Sequence, residues 1–279
     1  LANIAGLDKG WIFMESYKVR ISSSIANFKD KILKRYGWQE YNWLRDIYKR
    51  VTFFGLYHFL DWSRFIIHRG QKHVFWCGGD ILNLQKAGNV WQKLIAKQKA
   101  DHVVENMVEK LELENMGICA RVQPIILDDP RQFNICYRQS DKPKVFVCCH
   151  EGYEEQYGVN MLEGIAAVVP DVEINIYGVT GESHDNVKYH GRVSNERFNE
   201  EIRKYQAGLR LNDFDGMGEV TYKSLLLGQW PISRISYPYV TFVKDTTDLI
   251  NALNDLKNKK EPNYVGEVYW RNEAKKPLI

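Results

Sequence analysis

Apolar and polar positions alternate along this chain in two successive series. Short apolar runs that stop at Gly or Asp, VTFFGLYHFL (51–60) and HVFWCGGD (73–80), have the pattern of buried parallel strands. Between them DWSRFIIHRGQK predicts a short crossover helix. A helical stretch follows from Asp80 to about Lys99, then DHVVEN as a strand. MVEKLELENMG reads as a helix capped by Gly117, and ARVQPIIL as another strand. Residues 128–143, DDPRQFNICYRQSDKP, are polar and hold a proline near each end, the composition of a linker.

The second series begins with VFVCCH (145–150) as a strand. A helix EQYGVNMLEGIAAVV ends before Pro170, followed by strands VEINIYG (172–178) and VKYHGRV (187–193). Ser194 is placed to N-cap the helix NERFNEEIRKYQ. Strand AGLRLND (207–213), helix 219–228, strand WPISRIS and helix DTTDLINALNDLKNK complete the series. Strand–helix alternation in both halves predicts an α/β protein of two Rossmann-like domains facing a cleft. The expected boundaries are 1–127 and 144–279 about the linker 128–143. The first fifty residues read mainly as helix, with SYKVRISSSIANFKDKILKRYG closing at Gly37.

Composition narrows the class without naming it. The chain of 279 residues is 44% hydrophobic and 26% charged, which fits a globular protein and excludes a disordered one. Eight Trp and sixteen Tyr are expected mostly in the cores. A net charge of +3 is too small to mark a nucleic-acid binder. Nine basic residues nonetheless fall between Lys18 and Arg50, against three acidic ones, with aromatics interleaved. That segment is a candidate contact to a membrane surface or a polyanion, or else a solvated helix face. Five cysteines without CxxC spacing argue against zinc and for buried reduced thiols, hence a cytosolic compartment. Cys148 and Cys149 are adjacent in a strand and should point to opposite faces. No apolar run is long enough to span a bilayer, and no signal peptide is visible. The first residue is Leu1 rather than Met, consistent with a fragment or a processed chain.

The stretch DFDGMGEVTYKSLLLGQWP (213–231) carries the chemistry, and its residues allow three readings. Asp213 and Asp215 have the Asp-x-Asp spacing of a divalent-cation site. Gly216 and Gly218 at a strand-to-helix turn would let a phosphate approach backbone N–H groups at the positive end of a helix. An ordinary Asp/Gly turn capping a helix explains the residues equally well locally. Elsewhere, Asp80 ends a buried strand after Gly78 and Gly79 and should face the cleft. His58 and Asp61 close the preceding apolar run, on the side expected for an acceptor. His150 and Tyr157 follow the first strand of the second series, where ligands bind in open α/β sheets. Neither a Walker loop nor a Ser-His-Asp spacing is present.

DGMGEVTYKSLLLGQWPI, taken with its surroundings, resembles the donor-binding motif of GT-B glycosyltransferases, those of the family 4 (group 1) type in particular. HVFWCGGDIL, VFVCCHEGYEEQYGVNMLEGIAAVVPDVEINIYG and YHGRVSNERFNEEIRKY resemble that family's segments in order, so the resemblance covers residues 51–256. It implies a glycosyltransferase that moves a sugar from a nucleotide-diphosphate sugar, with retention, to a glycan, lipid or protein acceptor. It also implies no required cofactor or metal. On this resemblance Asp215 holds sugar hydroxyls as a catalytic-site residue, with Asp80 opposite it. The diphosphate falls to Gly216, Met217, Gly218 and Glu219, and Arg192 and Val193 border the nucleobase. Three departures stand out. Lys223 occupies the position of a ribose-binding Glu and becomes a phosphate candidate. His150-Glu151-Gly152-Tyr153 replaces the basic residues that neutralise the diphosphate. The first fifty residues lack a glycine-rich first strand, so a short or truncated amino-terminal domain is expected. A non-catalytic nucleotide-sugar-binding module and a nucleotide-sugar epimerase remain alternatives.

Overall fold

The computed structural model of the protein describes residues 17–277. The first half contains β1 (Lys18–Ile21), β2 (Gln39–Glu40), β3 (Val51–Phe54), β4 (Lys72–Phe75), β5 (Ala100–Val104) and β6 (Ala120–Val122). The second contains β7 (Lys144–Cys148), β8 (Glu173–Tyr177), β9 (Val187–Gly191), β10 (Ala207–Arg210), β11 (Ile232–Ser233) and β12 (Thr241–Phe242). They form two six-stranded sheets, ordered β2-β1-β3-β4-β5-β6 and β12-β11-β10-β7-β8-β9, with every neighbouring pair parallel. Helices cover both faces of each sheet, which is why the central strands are apolar without alternation. Val51, Phe53, Val145 and Phe146 are fully buried.

Each sheet separates two cores. Cys148 packs against one core of the second half and Cys149 belongs to the other, so the adjacent thiols do point to opposite faces. All five cysteines are unpaired; Cys119 is exposed, against the expectation of uniformly buried thiols. The aromatics fill the cores as expected, with Trp76, Trp270, Tyr177 and Tyr222 among the largest fully buried side chains.

The amino-terminal expectation is corrected. Part of it, over residues 1–16, lies outside the described residues. Within them, KVRI is the inner strand β1 rather than helix, with Val19 fully buried and paired to both β2 and β3. Four residues carry too little periodicity to declare themselves; their partners lie 21 to 33 positions away in the chain, as in Lys18–Gln39 and Lys18–Val51. The α-helix is confined to Lys29–Tyr36 and closes on Gly37 in the left-handed conformation. Serines 22–24 stand after β1 in place of the glycine-rich segment noted as lacking, and the first sheet, expected to be short, has as many strands as the second. Two smaller corrections follow downstream. The helical stretch after Asp80 breaks at Gly88, whose φ is 87°, and ARVQPIIL keeps only three residues in β6.

The basic segment is not one solvated face. Arg20 pairs with buried Asp61, and Lys31 with Glu219 and Asp128. Arg35 donates to the Ala274 carbonyl and Arg50 to Tyr17 and His73. Among the described residues no helix is long and apolar enough to cross a membrane.

Candidate functional site

The winding of each sheet creates a crevice at which open α/β sheets bind ligands. In the second sheet the chain leaves β7 in one direction and returns through β10 on the other side. The loops after these two strands therefore diverge and open a crevice at their carboxyl ends. In the first sheet the corresponding point lies between β1 and β3, where Ser22–Ser24 and Gly55–His58 follow the strands.

At the second crevice the predicted residues form a string, joined by one that sequence reasoning passed over. Arg210, the last residue of β10, sets its guanidinium 4.5 Å from the centre of the Tyr157 ring. The same guanidinium is ion-paired to Asp215. Asp215 Oδ1 also accepts the Gly216 amide at 2.9 Å. His150 meets Tyr157 edge-on, with ring centroids 6.2 Å apart. The glycine turn then opens the helix Glu219–Leu226, whose first turn no side chain caps. A Cβ on Gly218 would lie 2.9 Å from Arg210 Nε, so glycine there lets the guanidinium rest against the backbone. Glu151 is exposed on the loop after β7. That loop borders an open depression of about 620 Å³ lined by Gly152–Gln156 and Asn160.

The turn is also where the two halves meet. A Cβ on Gly78 would lie 3.3 Å from the Gly216 nitrogen, which brings the predicted acceptor-side and donor-side glycines together. Asn106 caps the helix Met107–Asn115 through its Oδ1 and donates from Nδ2 to the Asp215 carbonyl at 2.6 Å and to Tyr237 at 3.2 Å. Glu105 accepts the Met217 amide, and Phe214 packs against the core of the first half. Glu105 and Glu109 sit side by side, the Glu105 amide donating to Glu109 at 2.7 Å. Burial first, and then the neighbouring carboxylates, push both well above the usual carboxylate range, Glu105 to about 8. Glu105 directly follows the buried strand β5, the kind of position at which the sequence singled out Asp80, a signal that could have found it.

Several predicted residues have other surroundings. Asp80 is fully buried, and its oxygens accept the amides of Leu56, Cys77 and Ile81 at 2.9 to 3.1 Å. Its side chain thus ties two loops together rather than facing the cleft, and burial raises its carboxyl to about 6. Gly79 lies against the Tyr57 ring in the same turn. Lys223 is buried among Glu219 at 3.0 Å, Asn199 at 3.2 Å and Asp128 at 3.4 Å, so its charge is already matched. Glu219 is held from the other side by Lys31 at 2.6 Å. Asp213 pairs with Arg234 at 2.9 Å, so the two aspartates of DFD face two different arginines. Val193 packs into a core, whereas Arg192 is exposed.

On the first sheet, His58 Nε2 lies 3.0 Å from Ser23 Oγ and 3.4 Å from Asp61 Oδ2. One nitrogen serves both, so this is not a relay in which each ring nitrogen has its own partner. Buried Asp61 accepts from Arg20 and Ser22 at 2.6 Å and from the Tyr57 amide at 3.2 Å. Among the described residues no group of three or more His, Cys, Asp or Glu could hold a metal ion.

No protein-family model matches the sequence, and no curated protein matches it. Solved structures share its architecture. The alpha,alpha-trehalose 6-phosphate synthase of Burkholderia multivorans superposes with a TM-score of 0.61 at 9% identity, over 83% of this chain and 69% of the synthase. Sucrose-phosphate synthase of Thermosynechococcus elongatus gives 0.60 at 13% identity, over 90% and 72%. TarM of S. aureus, in a complex containing UDP, gives 0.53 at 13% identity, over 83% of this chain and 52% of TarM. The chain therefore spans about half the length of TarM. The shared architecture is the GT-B fold.

Proposed function

We propose that this GT-B chain moves a sugar from a nucleoside-diphosphate sugar to an acceptor. The donor's diphosphate lies at the Gly216–Gly218 turn and the acceptor enters over the first sheet. One observation carries the reading: the glycine turn opens an uncapped helix at the β7/β10 crevice and abuts Gly78 of the opposite half. A leaving diphosphate gains from such a helix start about 0.3–1 kcal/mol when exposed and up to about 2 when partly buried. The UDP in the TarM complex supports a nucleotide donor.

In this reading residues 1–127 form the acceptor side, 128–143 the connection and 144–279 the donor side. Asp215 turns to sugar hydroxyls, while His150, Glu151 and Tyr157 border the donor and Arg192 and Val193 the base. Amides of Gly216, Gly218 and Glu219 face the diphosphate, while Met217, whose amide is held by Glu105, shapes the turn. His58 and Ser23 line the acceptor's approach, and Asp80 acts through the turn it holds. Transfer proceeds with retention and without a metal. Leu44 and Tyr48, 85% and 78% exposed beside Arg45 and Lys49, are the part of the basic segment left for a membrane surface.

A thermal-shift panel of UDP-, GDP- and ADP-sugars tests the proposal, followed by an assay of nucleoside-diphosphate release with varied acceptors. Stabilisation by one donor class and its turnover are expected; no shift with any donor overturns the reading. Binding without turnover would favour a non-catalytic nucleotide-sugar module, which the basic-free loop His150–Tyr153 makes the second reading.

A further inference from the structure

We propose that Arg210 provides the positive charge for the donor's diphosphate, and that Asp215 occupies its place until the diphosphate arrives. This inference rests on the nucleotide-sugar reading above. The loop after β7, His150-Glu151-Gly152-Tyr153, contains no Arg or Lys, and Lys223 is matched by Glu219 and Asp128. A diphosphate at the glycine turn therefore needs a cation from elsewhere. Arg210 reaches that turn from the neighbouring strand.

Three features distinguish it from an ordinary surface arginine. Its guanidinium carbon lies over the Tyr157 ring, 4.5 Å from the centroid, which holds the side chain at the crevice. It lies against Gly218, at the start of the helix. Its Nε is buried without a hydrogen-bond partner, so the existing ion pair leaves one donor unused. Asp215 accepts from the guanidinium with one oxygen and from the Gly216 amide with the other. Two phosphate oxygens would use that same combination of a guanidinium and a turn amide. Asp215 is 24% exposed and has room to turn outward, where the donor sugar would lie.

Titration calorimetry on the whole chain tests this, using UDP, GDP and ADP without sugar, the matching nucleosides, and inorganic pyrophosphate. Arg210→Gln should weaken the preferred diphosphate by about 10- to 100-fold, the scale of a charge-assisted hydrogen bond, and leave nucleoside affinity unchanged. Arg210→Lys should fall between, because it keeps the charge and loses the fork. Asp215→Asn should bind the sugar-free diphosphate several-fold more tightly, since an internal competitor has gone. A purely structural ion pair would produce no such gain. Should Arg210→Gln fail to fold, Arg210→Lys and Asp215→Asn carry the test. Undiminished diphosphate affinity in the folded arginine variants, or no gain in Asp215→Asn, overturns the proposal. If the wild type binds no nucleotide, the nucleotide-sugar reading fails and pyrophosphate decides. Binding that depends on Arg210 keeps its anion role, and absence of binding removes it.

Discussion

Glu105 and Met217 are joined across the two halves of the molecule: the Met217 amide donates to the Glu105 carboxyl over 112 positions of chain. The amide belongs to the glycine turn proposed for the donor. The carboxyl directly follows β5 of the opposite sheet, beside Glu109 and near Asp80 and Asp215.

Burial of the Glu105 carboxyl makes stability fall as pH rises, with the Met217 amide opposing the shift. Burial lifts Glu105 from an ordinary 4.5 to about 8, so the folded state holds a proton that the unfolded state releases. The resulting stabilisation is complete below the unfolded value and is lost as pH climbs through the folded one. Tm should decline between about pH 5 and pH 8. Glu105→Gln, which still accepts the Met217 amide, should flatten that decline; parallel Tm–pH curves for the two proteins would refute the assignment.

Gly216 and Glu105 leave no room for a side chain between them, since a Cβ on Gly216 would run into Glu105 Oε2. Gly216→Ala should destabilise by about 1–3 kcal/mol through overpacking. Glu105→Ala should relieve most of that cost. A double-mutant cycle in urea reads the coupling, and strict additivity would show that the clash is not there.

Lys223 should act on stability before it acts on binding. With Lys223 removed, Glu219 and Asp128 keep only Lys31 as their shared cation. Because Glu219 is 35% exposed, the loss in Lys223→Ala is about 1–3 kcal/mol rather than that of a fully buried pair. Urea denaturation measures it. A variant of unchanged stability that loses donor affinity would instead make Lys223 a phosphate ligand.

His58 and Asp61 should separate cleanly. Asp61→Ala strands Arg20 and Ser22 and frees the Tyr57 amide, costing about 2–4 kcal/mol. His58→Ala, at a side chain 38% exposed, should cost about 0.5 kcal/mol while lowering turnover with acceptor and sparing donor affinity. Equal losses of Tm in the two variants would contradict this division.

Nucleotide affinity should be the same in EDTA as in magnesium. Asp213 is paired with Arg234, so even when Asp215 gives way to the diphosphate it has no free carboxylate partner with which to bridge a cation. A magnesium-dependent gain in affinity that Asp213→Asn abolishes would restore the cation reading of the Asp-x-Asp spacing.

The sequence by itself determined the strands with strong local signatures. Apolar runs such as VTFF and KVFVC, closed by Gly or a polar residue, declare buried parallel strands because both faces of such strands are covered. Gly37, Ser194 and the glycine turn of DGMG were likewise legible, since capping and tight turns depend on residues within a few positions. Tertiary structure alone decided the rest. KVRI became a strand because β2 and β3 flank it, and Asp80 turned inward to amides from two loops. Arg210 met Tyr157 because the order β10-β7 sets side by side two strands that β8 and β9 separate in the chain, whereas Asp215 reaches it from the loop that directly follows β10. Local spacing encodes backbone preference; which charges face each other across a crevice depends on how the sheets are wound and how the halves dock.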